Sequence, residues 1–128
     1  MSDKFTVEII SPDQTILKQE TSEVVIPSFE GQMGILNNHI PLITFLRPGI
    51  ITIKAAGEKK YYVEEGTVEF SNNNLLILTS TARDLANLDK SKINELLQKA
   101  EANLNTQSTD KERYVASYKL ETLKEISQ

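Results

Sequence analysis

Apolar and polar residues alternate along much of the first two thirds of the chain. Phe5, Val7 and Ile9 are separated by Thr6 and Glu8. A period of two is typical of a β-strand with one buried face. Further apolar or β-branched runs lie at 15–18, 24–26, 40–46, 51–53, 61–63, 68–70 and 75–78. The pattern therefore predicts many short strands between about residues 4 and 84.

Turn-forming residues separate these runs every eight to twelve residues or so. They include Pro12-Asp13, Pro48-Gly49, Gly57 and Asn72–Asn74. Because tight turns make sequence neighbours pair in space, this spacing favours an antiparallel β-sandwich or barrel. We predict a sandwich. An open sheet is the alternative, but it would leave two long edges to protect.

The period changes after Asp84 and indicates a first helix. A capping side chain at Asp89 or Ser91 can begin it. Its apolar residues recur at the spacing of one helix face, and they are Ile93, Leu96, Leu97, Ala100 and Leu104.

A second helix follows the polar segment 105–108. Thr109 and Glu112 have the spacing of a capping box, in which side chains satisfy the first backbone amides of a helix. A broader apolar stripe follows, made of Val115, Ala116, Leu120, Leu123 and Ile126. Lys119 falls inside this stripe, where we expect its aliphatic stem to snorkel to the surface. The chain is thus predicted to be α+β, with a β-sandwich at 1–86 and an antiparallel helical hairpin at 87–128.

The hairpin is expected to be marginally stable by itself. Two helices with one stripe each bury little apolar surface at ~25 cal/mol per Å². Two arrangements remain open at this stage. The hairpin is either packed permanently, or it detaches and extends towards another protein, with a regulatory effect.

Composition excludes several classes of protein. The formal net charge of -4 argues against nucleic-acid binding, which requires a basic face. The chain has no cysteine, so disulfide and thiol chemistry are excluded. No apolar run approaches the ~20 residues of a bilayer span, and the first residues lack the apolar core of a signal peptide.

Residue chemistry predicts no catalytic site and no metal site. His39 is the single histidine, and it lies beside turn residues without a nucleophile-elbow pattern. No phosphate-binding loop of the Walker type is present. Glu64 and Glu65 are adjacent, so on a strand their side chains face opposite sides and do not converge on one substrate.

The segment from Gly31 to Leu42 is the most distinctive part of the sequence. Its glycines suggest positive φ or close backbone approach, and Asn37-Asn38 suggests a turn. The pattern Glu-Gly-x-x-Gly-Ile-Leu-x-x-His-x-Pro-Leu begins at Glu30, and Arg47-Pro48-Gly49-Ile50 follows. This string resembles the epsilon subunit of the bacterial F-type ATP synthase, which is called delta in mitochondria. The resemblance extends through 65–70 and through the junction at 76–89.

The resemblance implies a fold, a function and a set of partners. The family fold is an N-terminal β-sandwich with a C-terminal helical hairpin. The implied function is that of a non-catalytic central-stalk subunit of the rotary proton-translocating ATP synthase, which couples rotation of the c ring through gamma to ATP synthesis. The implied partners are gamma, the c-ring subunits and the alpha/beta head. The implied location is peripheral, on the cytoplasmic face of the bacterial plasma membrane.

The resemblance also assigns partner-facing residues. A c-ring-facing loop is expected at Gly31, Gln32, Met33 and Gly34. Gln32 stands where family members often have a carboxylate, so an ion pair would be replaced by a hydrogen bond. Exposed ion pairs contribute only ~0–1 kcal/mol, so we expect this chain still to bind the c ring without that pair. Gamma-facing positions are expected at Ser11, His39, Pro41, Leu42 and Thr44.

The resemblance also implies two regulatory roles, ATP binding on the hairpin and inhibition of ATP hydrolysis, but this sequence matches the family's residues for them only in part. Members that bind ATP on the hairpin have Ile/Leu-Asp-x-x-Arg-Ala, where this chain has Leu88-Asp89-Lys90-Ser91-Lys92-Ile93. Lysine lacks the planar fork that grips a phosphate in two places. A nucleotide site would therefore have to use Asp89, Lys92 and Arg113, and no cofactor is otherwise expected. Inhibition of ATP hydrolysis would bring Lys111, Arg113, Lys119 and Lys124 to an acidic segment of the catalytic beta subunit.

Two other classes of function compete with the stalk subunit. One is a free-standing β-sandwich that binds proteins and carries the hairpin as an appendage. The other is a small enzyme, which the lack of a catalytic constellation disfavours. A stalk subunit should co-purify with a much larger ATPase, whereas a binding module should not and an enzyme should turn over substrate alone.

Overall fold

The computed structural model describes residues 3–106 and 109–127. Ten strands come first, followed by a short 3-10 turn at Leu85–Asn87 and two α-helices. The strands are β1 Phe5–Ile10, β2 Thr15–Thr21, β3 Glu23–Ser28, β4 Gly31–Leu36, β5 Leu42–Leu46, β6 Gly49–Lys54, β7 Glu58–Val63, β8 Gly66–Ser71, β9 Asn74–Leu78 and β10 Arg83–Asp84. The helices are α1 Lys90–Thr106 and α2 Asp110–Ile126.

The strands form two layers that share one strand. The first layer runs β4-β3-β6-β7-β10 and the second runs β5-β8-β9-β1-β2. β3 joins them, since Glu23–Val25 pair with β6 while Ser28 pairs with Leu46 of β5. The predicted sandwich is confirmed. One pair departs from the antiparallel prediction, because β1 and β9 run parallel. They are distant in sequence, so no hairpin turn dictates their direction.

The sandwich core lies between the two layers. Its strands show the predicted alternation, and in β1 every second residue is buried. The buried apolar side chains are Phe5, Val7, Ile9, Val24, Ile26, Ile35, Leu46, Ile51, Ile53, Tyr61, Val63, Val68, Phe70, Leu75 and Ile77. All of them belong to strands, so this core is complete without the helices.

The Gly31–Gly34 segment is a strand and not the predicted loop. It pairs along its whole length with β3, from Ser28↔Gly31 to Glu23↔Leu36. Gly31 takes a positive φ of 118°, which lets the chain reverse after the Phe29-Glu30 turn. Gly34 does not have a positive φ, so its backbone is ordinary strand. The prediction was wrong because glycine weakens a strand without preventing the ladder.

The predicted asparagine turns are confirmed. Asn72 and Asn73 take φ values of 51° and 54°, as in the tight turns that join hairpin strands. Asn38 has a φ of 63° in the predicted Asn37-Asn38 turn. The two turns are joined, because the Asn73 side-chain oxygen accepts from the Asn38 backbone amide at 2.7 Å.

The two helices begin with the predicted caps. The Asp89 carboxylate accepts from the Lys92 backbone amide at 2.8 Å. The Thr109 hydroxyl oxygen accepts from the Glu112 amide at 3.1 Å and donates to its carboxylate at 2.7 Å. The predicted connection at 105–108 includes residues 107 and 108, which lie outside the described residues.

The helices run antiparallel and dock on the sandwich beside β7. Their contact surrounds a second apolar cluster, made of Tyr62, Leu96, Ala100 and Leu123 with Leu85, Leu88, Leu97, Leu120 and Ile126 partly buried around it. The last strand ends at Asp84 and α1 begins at Lys90, on either side of the division predicted between residues 86 and 87.

Candidate partner-binding surfaces

The outer face of the second layer exposes large apolar side chains. Ile43 is 76% exposed and Phe45 is 59% exposed, and both lie on β5. Opposite them across the ladder are Glu69 and Thr67 of β8. Leu78 of β9, which pairs with Thr67, is also exposed. We call Ile43, Phe45 and Leu78 the β5 face. Clustered apolar surface of this kind marks sites where proteins bind each other.

Strand alternation revises one gamma-facing residue. Thr44 is buried, because it lies between the outward-pointing Ile43 and Phe45. Its side chain is therefore unavailable to a partner in this conformation. Leu42 is half-buried and Pro41 is exposed. The sequence pattern missed Ile43 and Phe45, although alternation from the buried Leu46 would have placed both outside.

His39 and Ser11 lie at opposite ends of this layer. The His39 ring nitrogen Nδ1 is 2.7 Å from the Ile40 carbonyl oxygen, and the ring meets Phe70 edge-on at 5.9 Å between centroids. Ser11 follows β1 at the end that pairs with Leu78, and its hydroxyl donates to the Gln14 carbonyl at 3.1 Å. The expected gamma-facing residues thus border one layer without forming a single cluster.

The β3–β4 hairpin presents the four residues expected at the c ring. Gln32 and Gly34 are exposed on the outer face of the strand, whereas Met33 is half-buried and packs against the sandwich core. The Ser28 hydroxyl holds the turn, since it donates to the Gly31 carbonyl at 2.8 Å and accepts from the Glu30 amide at 3.2 Å. Two of the four side-chain positions therefore face outwards.

Aromatic contacts hold α2 on the sandwich. Tyr114 stacks on Phe29 of the β3–β4 turn, with 5.8 Å between ring centroids. Tyr118 lies under the Arg47 guanidinium, whose Cζ is 3.9 Å from the ring centroid. The Arg47 Nε is buried without a hydrogen-bond partner among the described residues. Such a cation–π contact is worth roughly 0.5–2 kcal/mol depending on its exposure, so it favours the docked hairpin.

A polar network joins α2 to the segment after β7. The Lys119 ammonium is 3.3 Å from the Glu64 carboxylate, and both side chains are about a quarter exposed. The Tyr62 hydroxyl donates to the same carboxylate at 3.0 Å. Burial, and then the Glu64 carboxylate, raise the pKa of Tyr62 well above its ordinary range. Lys119 therefore forms an ion pair, where the stripe pattern predicted only snorkelling.

The three residues named for a nucleotide site are not brought together. Asp89 caps α1, and Lys92 is 3.6 Å from the Glu95 carboxylate. A hydrogen bond from Lys99, and then the charges of Lys92 and Lys99, lower the pKa of Glu95. The start of α1 lies beside Ile126 at the end of α2. Arg113 is thirteen residues earlier, or about 20 Å along the helix.

Two further kinds of site are absent among the described residues. Within 3–106 and 109–127, no three histidine or acidic side chains gather as metal ligands. Over the same residues, neither helix combines the length and the apolarity that a bilayer crossing requires.

Comparison with known proteins agrees with this arrangement. Residues 4–84 match the model of the ATP synthase Delta/Epsilon chain β-sandwich domain. The ATP synthase epsilon chain of Pelagibacter ubique is 48% identical, over 99% of this chain and 100% of the relative. This chain belongs to the ATP synthase epsilon chain family. The epsilon chain of Dichelobacter nodosus is 41% identical, over 79% of this chain and 72% of that relative.

Solved structures share the whole fold. A chain of the Euglena gracilis mitochondrial ATP synthase matches with a TM-score of 0.80 and 23% identity, over 100% of this chain and 84% of that one. A chain from the Tetrahymena thermophila mitochondrial ATP synthase, in its central stalk and c-ring structure, matches with a TM-score of 0.69 and 16% identity, over 96% of each chain. These likenesses confirm the fold, sandwich and hairpin together.

Membership of the epsilon chain family decides between the competing functions. The chain is a non-catalytic subunit of the ATP synthase central stalk, and the interpretation as a free-standing β-sandwich module is set aside. The exposed surfaces described above therefore belong to a subunit of a larger complex.

Proposed function

We propose that this chain joins gamma to the c ring at the foot of the central stalk and so transmits rotation towards the alpha/beta head. The single observation that carries the proposal is the β5 face, where Ile43 and Phe45 are mostly exposed on a strand paired with β8. Exposed apolar residues on a hydrogen-bonded sheet can pack against gamma, and such an interface could transmit rotation from one subunit to the other. We assign gamma to this face and the c ring to Gln32 and Gly34 of β4.

The proposed location follows from these partners. A subunit that bridges gamma and a membrane ring is peripheral to the membrane, on the cytoplasmic face of the bacterial plasma membrane. The relative from Pelagibacter ubique supports a bacterial setting.

Gel filtration with a purified alpha–beta–gamma head tests the gamma assignment. The wild-type chain should co-elute with the head. Ile43→Ser should weaken binding by about tenfold or more, because central apolar anchors carry most of an interface's energy. Glu101→Ala, on the exposed side of α1, is the matched control and should bind normally. Failure of the wild-type chain to co-elute, or normal binding by Ile43→Ser, would overturn the assignment.

Gly34→Val tests the c-ring assignment. An added Cβ at Gly34 would meet only the flexible end of Glu23, at 3.3 Å from Oε2. We therefore expect almost unchanged thermal stability. Binding to the c ring should nonetheless weaken, because the branched side chain stands on the proposed contact strand. Unchanged assembly with the c ring would contradict the assignment.

A regulatory role for the hairpin is a second proposal, supported by the Lys119–Glu64 ion pair. Lys119 is one of the four basic residues expected to meet the catalytic beta subunit, and docking occupies it. Glu64→Gln should release it and increase inhibition of ATP hydrolysis, while removal of residues 89–128 should raise the hydrolysis rate. Equal rates for all three proteins would leave a pure coupling subunit.

A further inference from the structure

A polar cleft of about 370 Å³ opens between the sandwich and α2, next to the proposed c-ring contact. We call it the Arg47 cleft. The polar residues that line it include Gln32, Arg47, Thr52 and Lys60 from the sandwich and Glu121 and Glu125 from α2. Its charges are therefore divided, with two cations on the sandwich side and two carboxylates on the helix side.

The Arg47 side chain is held in place while part of its hydrogen-bonding capacity is unused. Its guanidinium lies on the Tyr118 ring, and its backbone amide donates to the Pro27 carbonyl at 3.0 Å. Its Nε is buried without a partner, and no carboxylate among the described residues lies within 4 Å of the guanidinium. A guanidinium in this state favours an acceptor with two oxygens, such as a carboxylate.

Lys60 adds a second positive charge on the same side of the cleft. It is exposed on β7, and its ammonium has no ion pair within 4 Å among residues 3–106 and 109–127. Glu121 and Glu125 are also exposed, so water satisfies their carboxylates. Arg47 is half-buried and has less access to water. The occupant that gains most from this cleft is thus an anion placed against the sandwich side.

A straight row of paired residues links Lys60 to the strand proposed to meet the c ring. Lys60 pairs with Thr52, Thr52 pairs with Val25, and Val25 pairs with Gly34. Neighbouring strands are about 4.8 Å apart, so the row spans roughly 15 Å. Gln32, which also belongs to β4, lines the cleft itself. A loop bound on β4 therefore reaches the cleft with a side chain a few residues away.

We infer that the c-ring loop bound on β4 places a carboxylate in the Arg47 cleft, where Arg47 and Lys60 donate hydrogen bonds to its oxygens. The inference rests on the proposed function, since it names the chemical group through which the c ring meets this chain. Both cations belong to the sandwich, so the contact forms on the sheet side of the cleft. A ring whose exposed loops carry no acidic residue should bind this chain much more weakly.

Binding of full-length variants to the purified c ring tests the inference. Lys60→Glu should weaken binding about tenfold or more at low salt, because it brings like charges together. Raising the salt concentration should reduce this difference from the wild type. Lys59→Glu is the matched control and should bind normally. It makes the same charge change at the adjacent exposed residue, which pairs with Ile53 and faces the other side of β7.

An exchange of charges identifies the partner group. Acidic residues of the ring's exposed loop are changed to lysine one at a time, and each ring is tested with Lys60→Glu. One of these rings should recover about tenfold in binding, and the same ring should bind Arg47→Glu better than the wild-type ring does. Each comparison uses one variant with two rings, so any change of the variant's own structure cancels. Glu121→Gln should bind the wild-type ring as well as the wild-type chain does, or better.

The outcomes separate the inference from the proposal beneath it. Weak binding by Gly34→Val together with normal binding by Lys60→Glu would overturn the inference and leave the c-ring assignment standing. Normal binding by both variants would overturn both. Weak binding by Lys60→Glu that no exchanged ring restores, or equal weakening by Lys59→Glu, would also overturn the inference. Weaker binding by Glu121→Gln would show that the cleft takes a cation instead.

Discussion

At the scale of single residues, Tyr62 shows how burial changes a side chain's chemistry. Its neighbour Tyr61 turns into the sandwich core, and Tyr62 turns the other way, under the hairpin. The phenol is kept protonated because burial and the Glu64 carboxylate both disfavour its anion. Its hydroxyl in turn helps to hold that carboxylate beside Lys119.

We expect alkaline pH to destabilise the protein through Tyr62. Its pKa is raised on folding from the ordinary value of 10.0. Above pH 10 the unfolded chain therefore binds fewer protons than the folded chain, and stability falls as pH rises. Below that pH this contribution is fully present. Tyr62→Phe should lower stability at neutral pH by about 1 kcal/mol through the lost hydrogen bond, and should flatten the loss above pH 10. Urea unfolding at several pH values measures both, and identical pH profiles would contradict the assignment.

The glycines differ in what the fold requires of them. A Cβ on Gly66 would lie 2.5 Å from the Leu78 carbonyl oxygen, whereas a Cβ on Gly57 would meet nothing within 4 Å. Gly66→Ala should therefore destabilise the protein by about 2 kcal/mol or more, since the clash is with backbone. Gly57→Ala is the matched control, with an expected change within about 0.5 kcal/mol. Thermal melts compare the two, and equal midpoints would contradict the close approach.

At the scale of elements, α2 docks through contacts of two kinds. Leu123 and Ala116 are buried, and Tyr114, Tyr118 and Lys119 make partly exposed contacts with Phe29, Arg47 and Glu64. Each partly exposed contact contributes about 2 kcal/mol or less. Several contacts therefore each contribute a small part of the free energy of docking. A single substitution should change the docked fraction of the hairpin measurably.

Arg47→Lys should weaken docking of α2 without unfolding the sandwich. Lysine keeps the charge but loses the planar guanidinium that lies on Tyr118. We expect lower energy transfer between dyes at Thr52→Cys and Glu125→Cys, with an almost unchanged melt of the β-sheet signal. Lys99→Arg, on the exposed side of α1, serves as the control. Equal energy transfer in both variants would exclude a role for the stacked guanidinium.

At the scale of the whole molecule, the sandwich and the hairpin have separate apolar clusters. Among the described residues, the core between the sheets is built from strand residues, whereas the second cluster takes Tyr62 from the sheet and depends on both helices. The sandwich should thus be the more autonomous unit, and the hairpin should depend on it.

A chain that ends at residue 88 should retain the β-sheet. We expect a cooperative melt with the circular dichroism of β-structure, because the core lining both sheets is intact. Loss of the hairpin uncovers Tyr62, so binding of a hydrophobic dye should increase. A truncated chain without a cooperative melt would show that the hairpin is required for the sandwich to fold.

The sequence by itself determined the elements and their order. Alternation at Phe5, Val7 and Ile9, the asparagine turns and the Thr109 cap act between neighbours in the chain, so local physics is sufficient to predict them. Family-specific spacing around Gly31–Leu42 was sufficient to identify the family. The local pattern was misleading at Gly34. We predicted a loop there because the residue is glycine, but Gly34 pairs with Val25 and belongs to a strand.

Only the tertiary structure decided which residues face a partner and which face the hairpin. Lys119 was expected to snorkel to the surface, and it pairs instead with Glu64, which lies 55 positions earlier and also accepts a hydrogen bond from Tyr62. Thr44 looked accessible, and the β5–β8 pairing turned it inwards and left Ile43 and Phe45 outside. Such contacts depend on how layers and helices pack over long sequence separations, which no pattern of neighbours records.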